Sequence, residues 1–365
     1  MVNAPPPNLM QGIQFVQAGR RGAIHRAGST WPVQGKGMSF RHVLLSILIA
    51  TVLISVGLAS ASWQDKQPVA RYAVTQQYTP TLIGDDGEIA FVSAREGYFN
   101  IYMMNADGSN LHPLSTHGAN NSDPAWSPDG TWIAFTSFRD DNVDIYIIDA
   151  VGNNEARLTF HEAEDSQPSW SPDGTQIAFT SNRDGNFNIY VMDADGSDVR
   201  RLTTHKDHDF QPSWSPNGTQ IAFSSKRDNN ADIYVMDADG SDVRCLTTDD
   251  TGDVSPAWSP DGMRIAFVSY RDGNSNIFVM DADGKNVRRL TSHEAPDEYP
   301  VWSPDGTQIA IASARDGNYY IYVMDADGNN LYRLTTCCDM SISPAWSPDI
   351  EASTPGQSFS ERGIE

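Results

Sequence analysis

The sequence predicts an all-β protein, a six-bladed β-propeller of four-stranded antiparallel blades. The first sign is a repeat of 44 residues without slippage. Trp126, Trp170, Trp214, Trp258, Trp302 and Trp346 each begin a W-S-P motif. A fixed period of this length marks one supersecondary unit copied and stacked. The second sign is that each copy holds four short apolar runs separated by turn chemistry, which is a strand pattern. The third is that no stretch of the array sustains the i, i+3, i+4, i+7 apolar spacing of a helix.

The copy from Gln211 to Thr248 shows the unit. Gln211 to Trp214 reads as a first strand, A. Pro216-Asn217-Gly218 is a tight turn, because Pro presets φ and Asn-Gly accepts positive φ. Gln220 to Ser224 is strand B, and Arg227 to Asn230 is a polar loop. Asp232 to Asp237 is strand C, Ala238-Asp239-Gly240 a second turn, and Val243 to Thr247 strand D. The ends count the blades. The first B strand, Ile89 to Ser93, has no W-S-P strand before it, and the last W-S-P strand, at Trp346, has no B, C and D after it. The two sets balance if the strand near Trp346 pairs with the N-terminal set and closes the ring, which removes exposed sheet edges.

In order, W-S-P-D-G, I-A-F-x-S, R-D-G-N, I-Y-V-M-D-A-D-G and R-R-L-T resemble the WD40-like repeat (PD40) of the TolB C-terminal propeller, over about residues 85 to 349. Related repeats occur in the propellers of prolyl-oligopeptidase-type peptidases and of the tricorn protease. The resemblance implies the fold and, by analogy with TolB, a part in envelope or cell-surface assembly. The chain departs from the first pattern in having only about twenty residues between its leader-like segment and blade one, where TolB has an α/β domain. It departs from the peptidases in leaving no room for an α/β-hydrolase domain.

Composition divides the chain into a leader (1–61), a linker (62–81), the propeller (82–349) and a polar tail (350–365) read as disordered. Net charge is −22; the first 61 residues hold five Lys/Arg and no acid, so the remainder carries −27. That balance argues against nucleic acid, which calls for a basic face. It suits an exported protein or a basic partner. Residues 43–60 are the only long apolar run, with Arg41 before them and Ala59-Ser60-Ala61 as an A-x-A cleavage pattern after them. They read as a secretory signal, with Met38 as an alternative start; the rival reading is an uncleaved anchor. The expected location is periplasmic or extracellular, with membrane contact only through an uncleaved 43–60. Cys245, Cys337 and Cys338 are the only cysteines and form no disulfide framework.

Most motifs read as architecture. S-P-D-G lacks the residue between Asp and Gly that a sialidase Asp box has, and reads as the A–B turn. D-A-D-G lacks the glycine position and the distal Glu of a calcium loop, and in blade two it degrades to Asp149-Ala150-Val151-Gly152. The recurrent arginines (Arg95, Arg139, Arg183, Arg227, Arg271, Arg315) are expected to bond backbone carbonyls or a carboxylate of their own or the next blade. G-x-S-x-G, H-E-x-x-H, C-x-x-C and the P-loop are absent.

The stretch from D to the next A varies most. Five residues before each Trp stand Asn121, Asp165, Asp209, Asp253, Asp297 and Ser341; three before stand Asp123, Gln167, Gln211, Ser255, Tyr299 and Ser343. If strand A lines the channel, Asp165, Asp209, Asp253 and Asp297 could ring its mouth and recruit calcium, the one cofactor considered; alternatively each caps its own turn. The loop histidines are expected to be exposed. The expected function is a non-catalytic, monomeric binding module for a protein or peptide partner at the cell envelope. Its candidate rim residues are Asp123, Gln167, Phe210, Gln211, Tyr299, Met340 and Ile342. The alternatives are a propeller hydrolase of the ester or lactone type with a channel metal, or a purely structural array.

Overall fold

The computed structural model describes residues 87–349 apart from Thr116, Asn229, Cys337 and Cys338. The leader, the linker and the tail therefore lie outside the described residues, as do the cleavage site and two of the three cysteines. All described regular structure is β, in six four-stranded antiparallel sheets. Blade 4 is typical, with A at Asp209–Trp214, B at Gln220–Ser225, C at Asp232–Asp237 and D at Arg244–Cys245. Strand D is shorter than the expected Val243 to Thr247. It is the outer edge of the sheet, paired on one side only, and Val243 is exposed.

The ring closes as expected. Ser341–Trp346 is strand A of blade 1 and pairs antiparallel with Glu88–Ser93, Ile89 opposite Trp346 and Ser93 opposite Ser341. The first blade thus joins the two ends of the array, and Ser347 Oγ accepts the Glu88 N–H at 2.8 Å to lock the seam.

Blades pack through two unlike faces. Strand alternation sends Ile221, Phe223, Tyr234 and Met236 of blade 4 to one side, where they meet Ala178, Ile189 and Val191 of blade 3. The same large-on-small contact recurs between blades 2 and 3, 4 and 5, and 5 and 6. Across the seam, Ala310, Ala312, Ile321 and Val323 of blade 6 share one cluster with Ile89, Phe91 and Tyr102 of blade 1. These side chains are essentially inaccessible, so each large one contributes roughly 1.5–3 kcal/mol of transfer free energy. In three copies, Trp126, Trp170 and Trp302, the W-S-P indole adds a directional bond, whereas the Trp214 and Trp258 indoles lack one. Trp170 Nε1–H donates to the Ala125 carbonyl of the preceding blade at 3.2 Å, and Trp126 of blade 2 does the same to Ala345 on the closing strand of blade 1.

The two turn motifs serve the same packing. In S-P-D-G, the Asp129 carboxylate accepts from the Ser127 hydroxyl and from the Thr131 N–H and hydroxyl. In D-A-D-G, Gly196 has φ +84°, and a Cβ there would lie 2.7 Å from the Leu158 carbonyl oxygen of the neighbouring blade. The recurring glycine is needed both for backbone conformation and for blade contact. Gly185 also has positive φ (+97°), but a Cβ there would meet nothing within 4 Å. Gly185→Ala is therefore expected to cost about 1 kcal/mol, the conformational penalty alone, and Gly196→Ala distinctly more. Chemical denaturation measures both; equal losses would mean that blade contact does not select this glycine.

Candidate functional site

Strand A is the innermost strand of every blade, and the six A strands surround a central bore of about 330 Å³. Each carries a bulge. In blade 4, Phe210 pairs with Ser224 and Ser213 with Ala222, so Gln211 and Pro212 together oppose one residue. The residue at the bulge is left-handed in all six blades: Asp123, Gln167, Gln211, Ser255, Tyr299 and Ser343 have φ between 49° and 57°. None is glycine, so each conformation costs roughly 1–3 kcal/mol, offset by what holds it. A bulge re-aims a side chain, and here all six residues line the bore. The proline that follows each of them was the available sequence signal, because a Pro within a strand marks an edge or a bulge.

The rung has two unlike halves. On one side, amides and hydroxyls close into a belt. The Gln167 N–H donates to the Thr136 hydroxyl (2.9 Å), and Gln167 Oε1 accepts from the Thr180 hydroxyl (2.9 Å) and the Gln211 N–H (3.1 Å). Gln211 repeats the pattern, with Oε1 accepting from Ser224 and from the Ser255 N–H while Nε2–H donates to Ser255 Oγ at 2.8 Å. On the other side stand Asp123 and Tyr299. Water reaches Asp123 from the bore, yet protein encloses it, and the resulting desolvation pushes its carboxyl above the usual range against hydrogen bonds from Ser122 and Thr136. Tyr299 is pushed up more strongly, by desolvation first and then by the Glu298 and Asp123 carboxylates.

The remaining rim candidates are placed differently. Phe210 is half-buried with the Lys226 ammonium 5.5 Å from its ring centre. Ile342 is 2% exposed and packs in the closing core opposite Val92, so it offers nothing to a partner. Met340 is half-buried at the seam, where its carbonyl accepts from the Ala94 N–H and the Ser93 hydroxyl. Both residues, expected on a binding rim, belong to ring closure instead. Glu298 was missed. It is an acid where the other copies carry Ser, Ser, Phe, Val and Ile, and that break in the repeat was its signal.

Asp165, Asp209, Asp253 and Asp297 do not ring the bore. All four are 0% exposed and outside its lining. Each is paired with the arginine of its own blade: Arg183 with Asp165 at 2.8 Å, Arg227 with Asp209 at 2.9 Å, Arg271 with Asp253 at 2.8 Å and Arg315 with Asp297 at 2.9 Å. Arg227 also donates Nε–H to Ser225 and lies over the Tyr234 ring, whose hydroxyl donates to Asp228. The recurrent Arg-Asp pair thus ties strand A to strands B and C within one blade. The calcium ring expected of these aspartates lacks converging free oxygens. Among the described residues no three His, Cys, Asp or Glu side chains are grouped to hold a metal. His161, His205 and His293 cap their own loops, each Nδ1 accepting a backbone N–H two residues on.

Comparison with known proteins agrees with the architecture. The family model described as the TolB beta propeller domain, PD40, matches residues 58–167, 163–255 and 250–353. No individual curated protein matches. Among solved structures, TolB from Acinetobacter baumannii is similar with TM-score 0.65 and 27% identity, over 72% of this chain and 67% of that one. A candidate TolB from Agrobacterium tumefaciens matches with TM-score 0.58 and 23% identity, over 72% and 99%. An oligogalacturonate lyase in complex with manganese matches with TM-score 0.51 and 17% identity, over 68% and 74%, which is a likeness of fold alone.

Burial raises the pKa of Asp232 in blade 4, as it does that of Asp144 at the same position in blade 2, which should make stability depend on pH. Asp232 is 3% exposed, with the Thr247 hydroxyl at 3.2 Å, and Cys245 stands where blade 3 has Arg201. Desolvation first, then the nearby Asp253, Asp228 and Asp249 charges, raise its pKa to about 6. A carboxyl whose folded pKa lies above its unfolded value stabilises the fold below the unfolded pKa, and that contribution is lost as pH rises through the folded pKa. Blades 1, 3 and 5 carry Asn100, Asn188 and Asn276 at this position, so asparagine fits. Asp232→Asn is expected to melt like wild type near pH 4 and above it at pH 7. Parallel melting-temperature profiles between pH 4 and 7 would exclude Asp232 as the titrating group. The repeat motifs, the six closed sheets and the family match lead to one identification: this chain belongs to the TolB beta propeller (PD40) family.

Proposed function

We propose that this propeller is an exported, non-catalytic binding module of the cell envelope that takes a protein or peptide partner at the bore. One observation carries the reading: the repeat diverges where the bore is lined. The S-P-D-G turns read Asp, Asp, Asn, Asp, Asp before an unvarying Gly, whereas the bulge position reads Asp, Gln, Gln, Ser, Tyr, Ser. Left-handed, non-glycine residues held at one rung are the kind of strain that functional sites retain. The similarity to TolB and the apolar run of residues 43–60, followed by Ala59-Ser60-Ala61, support export.

The test is capture from a native envelope extract by the chain purified from that envelope, with its N-terminus sequenced. The mature chain is expected to begin at Ser62; an uncleaved chain in membranes would support the anchor instead. Asp123→Asn/Tyr299→Asn, both compatible with positive φ, should lose the captured partner. Val151→Lys/Met263→Lys, which alters exposed turn residues away from the bore, should keep it. Loss through the turn variants alone would place binding elsewhere and refute the reading.

A further inference from the structure

We infer that the acidic half of the bore receives an ammonium group, the side chain of a lysine presented by a peptide partner. The inference rests on the proposed function and specifies the chemistry of the same site. Among the described residues, the bore lining contains no Lys, Arg or His. Its single carboxylate, Asp123, is held by hydroxyl groups: Ser122 Oγ–H donates at 2.8 Å, and Thr136 is the other donor. The aspartates five residues before each Trp are different, because each has its own guanidinium. Asp123 therefore presents a charge that the described residues do not neutralise, facing open space.

In the same half of the rung Tyr299 lines the bore, and its chain neighbour Glu298 is buried outside the lining. Glu298 is 7% exposed, accepts from the Ser275 hydroxyl at 3.2 Å and is hydrogen-bonded by Tyr319. Tyr299 lines the bore together with Asp123, and after desolvation the Glu298 and Asp123 charges push its phenol further up. The Asp123 carboxylate and the Tyr299 ring, both lining the bore, form a receptor for an organic cation: the charge supplies Coulomb attraction and the ring adds a cation–π contribution. A buried, unneutralised carboxylate is costly, and an incoming cation removes that cost. The opposite half of the rung is neutral and already satisfied by its own amide belt, so the attraction is one-sided. The cavity of about 330 Å³ admits a side chain and excludes a folded domain. The charge of −27 outside the leader would draw a basic peptide toward it.

Binding is measured by calorimetry and tyrosine-ring NMR with three probes: acetyl-Ala-Ala-Lys-Ala-Ala-amide, the same peptide with acetylated lysine, and pentylamine. The lysine peptide is expected to bind at least tenfold tighter than its acetylated form and tighter than pentylamine. Asp123→Asn is expected to weaken it about tenfold without lowering the melting temperature. Equal binding of the charged and acetylated peptides on wild type would overturn the inference whether or not the variant folds. Pentylamine binding as tightly as the peptide would overturn the peptide source. If rim variants lose the captured partner while the lysine peptide fails to bind, this inference alone fails. If the lysine peptide binds at Asp123 while rim variants keep the partner, the proposed function fails, and the peptide assignment with it.

Discussion

Every blade has one large face and one small face, and neither is buried until a second blade lies against it. Phe223 and Ile221 fill the hollows left by Ala178 and by the branched residues beside it, and five more interfaces are built alike. An open row of such blades would leave one large and one small face in water. The ring therefore depends on the seam, where Ser341–Trp346 crosses from the end of the chain to the first blade. The Trp126 indole of blade 2 bonds Ala345 of that closing strand as Trp170 of blade 3 bonds Ala125 inside the array. The seam repeats the other interfaces and adds no chemistry of its own.

Closure by repetition accounts for most of the recurring residues. The glycine of D-A-D-G lets one backbone approach the next blade, the aspartate of S-P-D-G caps its own turn, and the arginine joins strand A to its blade through a buried carboxylate. Removing one partner of such a pair would strand a charge, typically at a cost of about 3–5 kcal/mol. Residues under that constraint are poorly placed for ligands. The six bulge residues vary, and they make the bore lopsided, with Gln167, Gln211 and Ser255 facing Asp123 and Tyr299.

The sequence showed the blades plainly, because period, alternation and turn residues all agreed with one fold. Strand C of blade 4 appears where expected, and the unpaired strand at Trp346 located the seam. The bore was legible only in part. Regular alternation puts residues five and three before each Trp on one side, so Asp209 and Gln211 seemed to share the channel. The bulge adds one residue between them and reverses that parity: Gln211 turns into the bore and Asp209 onto Arg227. A one-residue shift moves a side chain to the other face of a sheet, and a single chain offers only the proline as a hint of it. Ile342 was misplaced for a related reason, since its strand belongs to the first blade and is buried by it.

Closure is the claim on which the bore, the rung and its two halves all rest. Native-state hydrogen exchange tests it most directly, by comparing the amides of Glu88–Ser93 and Ser341–Trp346 with those of Gln220–Ser225 in blade 4. In a closed ring the seam amides should open only with global unfolding, at the same free energy as blade 4. Seam amides that exchange at a much lower free energy while blade 4 stays protected would show that the last strand is a loose appendage and that the ring does not depend on it.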